Sequence, residues 1–121
     1  MTRILVVDDH PEVCELLKKT LTRGGYEILL AGSGQDAVTL ARDQRPDVIL
    51  MDLMMPGAVS GTEATRMLKS DPRTKLAKII ILTGTEGDKV AKEATEAGAD
   101  SFFSKPFSPL ELLRKLDEIL A

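Results

Sequence analysis

The chain has one cysteine, Cys14, and one histidine, His10, among its 121 residues, and each scarcity removes a class of protein. A single cysteine closes no internal disulfide, and the pair together cannot build a structural zinc site. Positive charge is not in excess either: 16 basic residues stand against 19 acidic ones, well mixed, for a net charge of -3. The basic stripe that direct nucleic-acid contact needs is therefore missing, and no nucleic-acid binding by this segment is expected. No apolar run approaches the ~18 residues of a membrane span. Met1-Thr2-Arg3 leads into an apolar strand pattern without the apolar stretch of a signal region, so a cytoplasmic location with no membrane contact is expected. Repeats, linkers and low-complexity tracts are also lacking. The length suits one domain, residues 1–121, with a single core.

What is present is a regular alternation. Ile4-Leu5-Val6-Val7 reads as a first strand that stops at Asp8-Asp9-His10-Pro11. Pro11 suits a first helical turn, and Val13, Leu16, Leu17, Thr20 and Leu21 recur at helical spacing until Gly24-Gly25. Glu27 to Ala31 is a second strand, Ser33 an N-cap, and Ala37, Val38, Leu40 and Ala41 carry a helix to about Gln44. Val48-Ile49-Leu50-Met51 is an apolar run without helical period that ends on the carboxylate of Asp52 and is bounded by Pro46 and by Pro56-Gly57, which marks a strand buried on both faces. A short helix from Thr62 to Leu68, a strand at Ile79-Ile80-Ile81-Leu82, a lightly apolar helix through Val90, Ala91, Ala94 and Ala97 to Gly98, a strand at Ser101-Phe102-Phe103 and a helix opened by Pro109 complete the chain.

Strands alternating with helices through short connections give an α/β fold: a doubly wound five-stranded parallel sheet, flavodoxin-like, with helices on both faces. The wholly apolar first, third and fourth strands belong in the centre, and the second and fifth at the edges, which fits the order 2-1-3-4-5. In that order, neighbouring strands end on Asp8 and Asp9, on Asp52, on Thr83 and on Lys105. Each has a bland reading by itself, as a solvated turn, a helix cap or a surface charge. Their convergence on the carboxyl edge of a parallel sheet, where ligands bind, favours a site.

Three carboxylates at one edge repel. Two charges ~4 Å apart cost about 4 kcal/mol at an effective dielectric of ~20, so a cation belongs among them. Adjacent strands lie ~4.8 Å apart and magnesium takes oxygen ligands at ~2.1 Å, so one Mg²⁺ spans Asp9 and Asp52, with Mn²⁺ as a substitute.

With Asp8-Asp9, Asp52 in DLMMP, Thr83-Gly84 and Lys105-Pro106-Phe107 in this order and on these elements, the chain resembles a bacterial two-component response-regulator receiver domain over its whole length. The resemblance implies that Asp52 is the phosphoacceptor and that Asp8 and Asp9 hold Mg²⁺, joined by the backbone carbonyl of Met54. It implies that Thr83 and Lys105 bind phosphoryl oxygens and that Phe102 is the aromatic switch. It also implies a cis Lys105-Pro106 bond. The expected partner is a sensor histidine kinase or a histidine phosphotransfer protein, and the domain is expected to signal rather than to act as an enzyme on other substrates.

Two places depart from the family pattern. Pro56-Gly57-Ala58-Val59-Ser60-Gly61 is one residue longer than the usual loop, and Ser60 stands before its glycine. His10 follows the acidic pair, and is read as a loop histidine without a catalytic role. Slow hydrolysis of the aspartyl phosphate is expected, since Met54 and Thr85 at the flanking positions carry neither amide nor carboxylate. The output face is expected to be the fourth helix, fifth strand and fifth helix. A phosphorylation-dependent homodimer would pair Lys89 with Glu111, and Lys115 with Glu96 or Asp100. Two rival readings are a haloacid dehalogenase-like aspartyl-phosphate phosphatase, whose Asp-x-Asp would need an acid where Met54 stands, and a flavodoxin-like binding module. No glycine-rich phosphate loop follows the first strand.

Overall fold

The computed structural model describes residues 1–53, 55, 57–84, 88–104 and 108–120. The elements run β1 (Arg3–Val7), α1 (Pro11–Arg23), β2 (Glu27–Ala31), α2 (Gly34–Gln44), β3 (Val48–Asp52), α3 (Gly61–Ser70), β4 (Lys78–Thr83), α4 (Asp88–Ala97), β5 (Ser101–Ser104) and α5 (Pro109–Leu120). All strands are parallel, in the order β2-β1-β3-β4-β5. β3 is buried at every position, whereas β2 and β5 at the edges are only partly covered, and Glu27 places a charge on the exposed start of β2.

Alternation along the strands divides the core in two. Ile4, Val6, Val48, Leu50, Ile80 and Leu82 face α1 and α5, meeting Cys14, Leu17, Leu21, Leu112 and Leu116. Leu5, Val7, Ile49, Met51, Ile79 and Ile81 face α2, α3 and α4, meeting Ala37, Val38, Ala41, Ala64, Leu68 and Ala94. The period-two reversal of side chains and the helical stripes therefore fit on both faces of one sheet.

Helix ends follow local chemistry. Ser33 and Ser60 cap α2 and α3 by accepting the N–H of Asp36 and of Glu63, each at 3.1 Å. α3 is longer than the apolar pattern predicts, because the Ser60 cap starts it at Gly61 and it runs on to Ser70. Gly98 closes α4 with φ +112°, a left-handed conformation that suits glycine. Leu16 on α1 and Leu110 on α5 are exposed, so the buried stripe of α1 is Cys14, Leu17 and Leu21.

Side-chain ties gather where strands begin and helices end. The Arg3 N–H donates to Asp47 Oδ2 at 2.9 Å, and its Nη1 donates to the Gln44 carbonyl at 2.7 Å. The Tyr26 hydroxyl donates to Asp117 Oδ1 at 2.6 Å. Lys69 Nζ donates to the Ala77 carbonyl at 2.7 Å and ion-pairs with Asp100 Oδ2 at 2.7 Å, and the same Asp100 oxygen accepts the Ile79 N–H at 2.8 Å. Arg42 Nε and Arg73 Nη2 converge on Asp71 at 2.8 and 2.9 Å. Asp100 is thus engaged within the fold through one carboxylate oxygen, while its side chain, like that of Glu96, stays exposed.

Candidate functional site

The opposite rim carries the acidic residues. Val7 and Met51 are register partners in β1 and β3, so Asp8 and Asp52, each one step further, lie at adjoining strand ends. The Asp8 N–H donates to the Ala31 carbonyl at 3.1 Å, which keeps Asp8 extended against β2 beyond the last residue of its own strand. Asp8 and Asp52 are 1% and 2% exposed. Asp9 is partly exposed at the mouth. One ligand atom from each of Asp8, Asp9, His10 and Asp52 falls within 4.8 Å of all the others. Carboxylates are rarely buried at such spacing unless a positive charge accompanies them.

His10 is the residue that the sequence reading passed over. Its backbone N–H donates to Asp8 Oδ1 at 2.9 Å, and its ring Nδ1 lies 2.9 Å from the same oxygen and 3.2 Å from Asp9 Oδ1. The Asp8 hydrogen bond first, and then the charges of Asp9 and Asp8, raise the imidazole above its ordinary value of 6.5. An aspartate that accepts the backbone N–H two residues on forms an Asx turn, and here that turn brings the His10 ring to Asp8. The His10 side chain is itself more than half exposed.

Cys14 lies below, its thiol donating to the Asp8 carbonyl at 3.4 Å. Burial, followed by the Asp8 charge, pushes the thiol pKa up, so it stays protonated and serves as packing. A cleft of about 240 Å³ lined by Asp8, Asp9, Cys14, Leu30 and Gly32 opens beside the acidic group. Larger clefts of about 520 and 530 Å³ lie by Arg42 and Asp71 and by Thr39 and Asp43. The chemistry of the lining, rather than size, marks the site.

On β4, Leu82 is the register partner of Asp52, and Thr83 follows it, partly buried, at the strand end. Phe102 pairs with Ile81 on β5, two strands from Asp52, and packs against the apolar cluster on the α2, α3 and α4 side. Of the expected site residues, Asp8, Asp9 and Asp52 come together, Thr83 ends the neighbouring strand, and Phe102 stands apart. Met54, Thr85, Lys105 and the Lys105-Pro106 bond lie outside the described residues.

The donor set suits a hard divalent cation: three carboxylates supply oxygens, two of them shielded from solvent. Comparison with known proteins points the same way. Residues 4–117 match the family profile described as response regulator receiver domain. The chain is 38% identical to protein PilH of Pseudomonas aeruginosa, over 100% of its own length and 99% of the relative's. It is 43% identical to the phosphate regulon transcriptional regulatory protein PhoB of the same species, over 97% of its length but only 51% of PhoB. Among solved structures, chemotaxis protein CheY4 of Vibrio cholerae superposes with a TM-score of 0.89 at 32% identity, covering 98% of each chain. The receiver domain of sensor histidine kinase PA1611 from Pseudomonas aeruginosa superposes at 0.86 with 32% identity, covering 97% of this chain and 95% of that one. That domain was solved with a magnesium ion coordinated in its active-site cleft.

Proposed function

The chain belongs to the response regulator receiver domain family, and from that premise we propose that residues 1–121 form one receiver whose Asp52 accepts a phosphoryl group from a phosphohistidine. Receivers of this kind are phosphorylated by histidine kinases, and a sensor kinase or a histidine phosphotransfer protein is the donor in this reading. The observation that carries it is the buried Asp52 carboxylate at the end of the central strand, with the Asp8 and Asp9 carboxylates within 4.8 Å.

In this reading Asp8, Asp9 and Asp52, with the Met54 carbonyl, hold Mg²⁺ or Mn²⁺. When bound, the cation neutralises charge on the incoming phosphoryl oxygens. The residues of the chain do the rest. The Asp52 oxygen attacks a phosphorus that the donor histidine has already activated. The new bond is Asp52 Oδ–P, the broken bond is P–N of the donor, and the leaving imidazole keeps the electron pair. Little nucleophilic activation is needed, so the work is positioning and charge balance. Asp52 is held in place by β3, paired on both sides, and the Thr83 hydroxyl and the Lys105 ammonium bind the transferred group. Phe102 then follows Thr83 and alters the face formed by α4, β5 and α5, where an output partner or a second copy docks. Beyond assisting its own phosphorylation and dephosphorylation the domain is not an enzyme, and it works in the cytoplasm. Among the described residues no helix is long and apolar enough to cross a membrane.

Acetyl phosphate with Mg²⁺, read by intact mass spectrometry, tests the assignment. One phosphoryl group per chain is expected on the wild type, and none on Asp52→Asn or after chelation of the metal. Equal labelling of wild type and variant sinks it. Nothing in the geometry favours the haloacid dehalogenase-like reading; turnover of a phosphate monoester is the result that would revive it.

A further inference from the structure

Two helices on the same face of the sheet open with one pattern. Ser33-Gly34-Gln35-Asp36 starts α2, and Ser60-Gly61-Thr62-Glu63 starts α3. Capping explains the serines. It does not explain the glycines, which occupy the first helical position, lie outside the left-handed region, and weaken a helix relative to alanine.

Space explains them. A Cβ on Gly61 would sit 2.3 Å from the carbonyl oxygen of Asp52 and 2.8 Å from Leu53 Cα. A Cβ on Gly34 would sit 2.3 Å from the carbonyl oxygen of Val59 and 3.1 Å from its Cγ1. The nearest obstacles are backbone atoms, which cannot rotate aside as the tip of a side chain can. The two contacts form a series. The first turn of α2 rests on Val59, Val59 leads through Ser60 to Gly61, and Gly61 rests on the peptide that follows Asp52. Val59 is also packed against the apolar cluster on this face, so it has little room to yield.

We propose that Gly34 is a positioning residue for the acidic site: by leaving room for the Val59 carbonyl, it lets the start of α2 brace the β3–α3 loop against the backbone of Asp52. Gly34 touches neither phosphoryl group nor metal; it acts through Val59 and Gly61. The phosphorylation part of this inference rests on the reading of Asp52 as phosphoacceptor, whereas the metal-binding part does not.

The test uses the whole chain and three measurements: ¹⁵N–¹H spectra of the metal-free protein, titration with Mg²⁺ alone, and labelling with acetyl phosphate. Gly34→Ala should keep the wild-type far-ultraviolet circular dichroism yet shift the amide resonances of Asp52, Leu53 and Gly61. Mg²⁺ affinity and labelling rate should fall by about tenfold, short of the ~100-fold that a full ångström of misplacement can cost. Val59→Gly keeps Gly34 and removes the loop's apolar anchor; it should fold and show the same changes more weakly. If Gly34→Ala does not fold, Val59→Gly decides. Wild-type resonances, Mg²⁺ affinity and labelling in the folded variants would overturn the brace, even if their melting temperatures drop. A wild type that binds Mg²⁺ but is never labelled, alongside a weakened Gly34→Ala, would remove the phosphoacceptor reading and leave the brace standing.

Discussion

Asp52 and Leu82 are register partners across β3 and β4, so Thr83 ends the strand one residue past the level of the central carboxylate. In the proposed function the hydroxyl there follows the group added to Asp52. Thr83→Ala is therefore expected to accept phosphate from acetyl phosphate while failing to transmit the event to β5. Chemical-shift changes on phosphorylation should stay confined to residues around Asp52 and spare Phe102. A response equal to that of the wild type would refute the coupling.

The caps on α2 and α3 give a second expectation. Ser60→Ala and Ser33→Ala each leave an N–H of the first turn without its oxygen and should cost about 1 kcal/mol, whereas Ser60→Gly should cost only a few tenths. Urea unfolding separates these values. Equal losses in the alanine and glycine variants would mean that the Ser60 hydroxyl contributes something other than capping.

Alkaline stability should depend on Tyr26. Burial first, and then the bond to Asp117, push the phenol from 10 up to about 12. A folded value above the unfolded one means that its contribution is complete below pH 10 and is lost as pH rises to about 12. Tyr26→Phe should lower stability by about 0.5–1 kcal/mol at neutral pH, a modest value because the pair is near the surface. The variant should also lose less stability than the wild type across the alkaline window. Parallel losses in the two proteins would clear Tyr26 as the cause.

Acid stability should depend on Asp71. The Arg73 side chain and backbone N–H, and then the Arg42 guanidinium, hold its carboxyl well below the usual carboxylate range. A depressed folded value gives a contribution present above the ordinary carboxylate pKa of ~3.9 and lost as pH falls through the folded value. Asp71→Asn should melt lower than wild type near neutrality, and the gap should close in strong acid. A gap that persists there would place the effect in packing around Pro72 rather than in charge.

The sequence carried the fold because its signals are local and mutually consistent. Apolar runs at Ile4–Val7, Val48–Met51 and Ile79–Leu82 could only be central strands, and Ser33, Gly98 and Pro109 marked helix ends by their own chemistry. The acidic group was legible because strand order turns three sequence-distant aspartates into neighbours. His10 was not, since its meeting with Asp8 depends on how one turn folds. The engagement of Asp100 by Lys69 was equally hidden: it joins α3 to the start of β5, and either charge alone looks like ordinary solvated surface. Glycine at 34 reads as a weak helix start until Val59, 25 residues away, is seen against it.

Arg3, Tyr26, Lys69, Asp71, Asp100 and Asp117 all tie the fold together on the rim away from the carboxylates. Because β1 starts at that rim and α5 finishes there, held beside Tyr26, a fluorophore or surface tether attached to the start of β1 or the last turn of α5 sits on the side opposite the acidic cleft. Immobilised through that rim, the domain turns its acidic cleft toward solution.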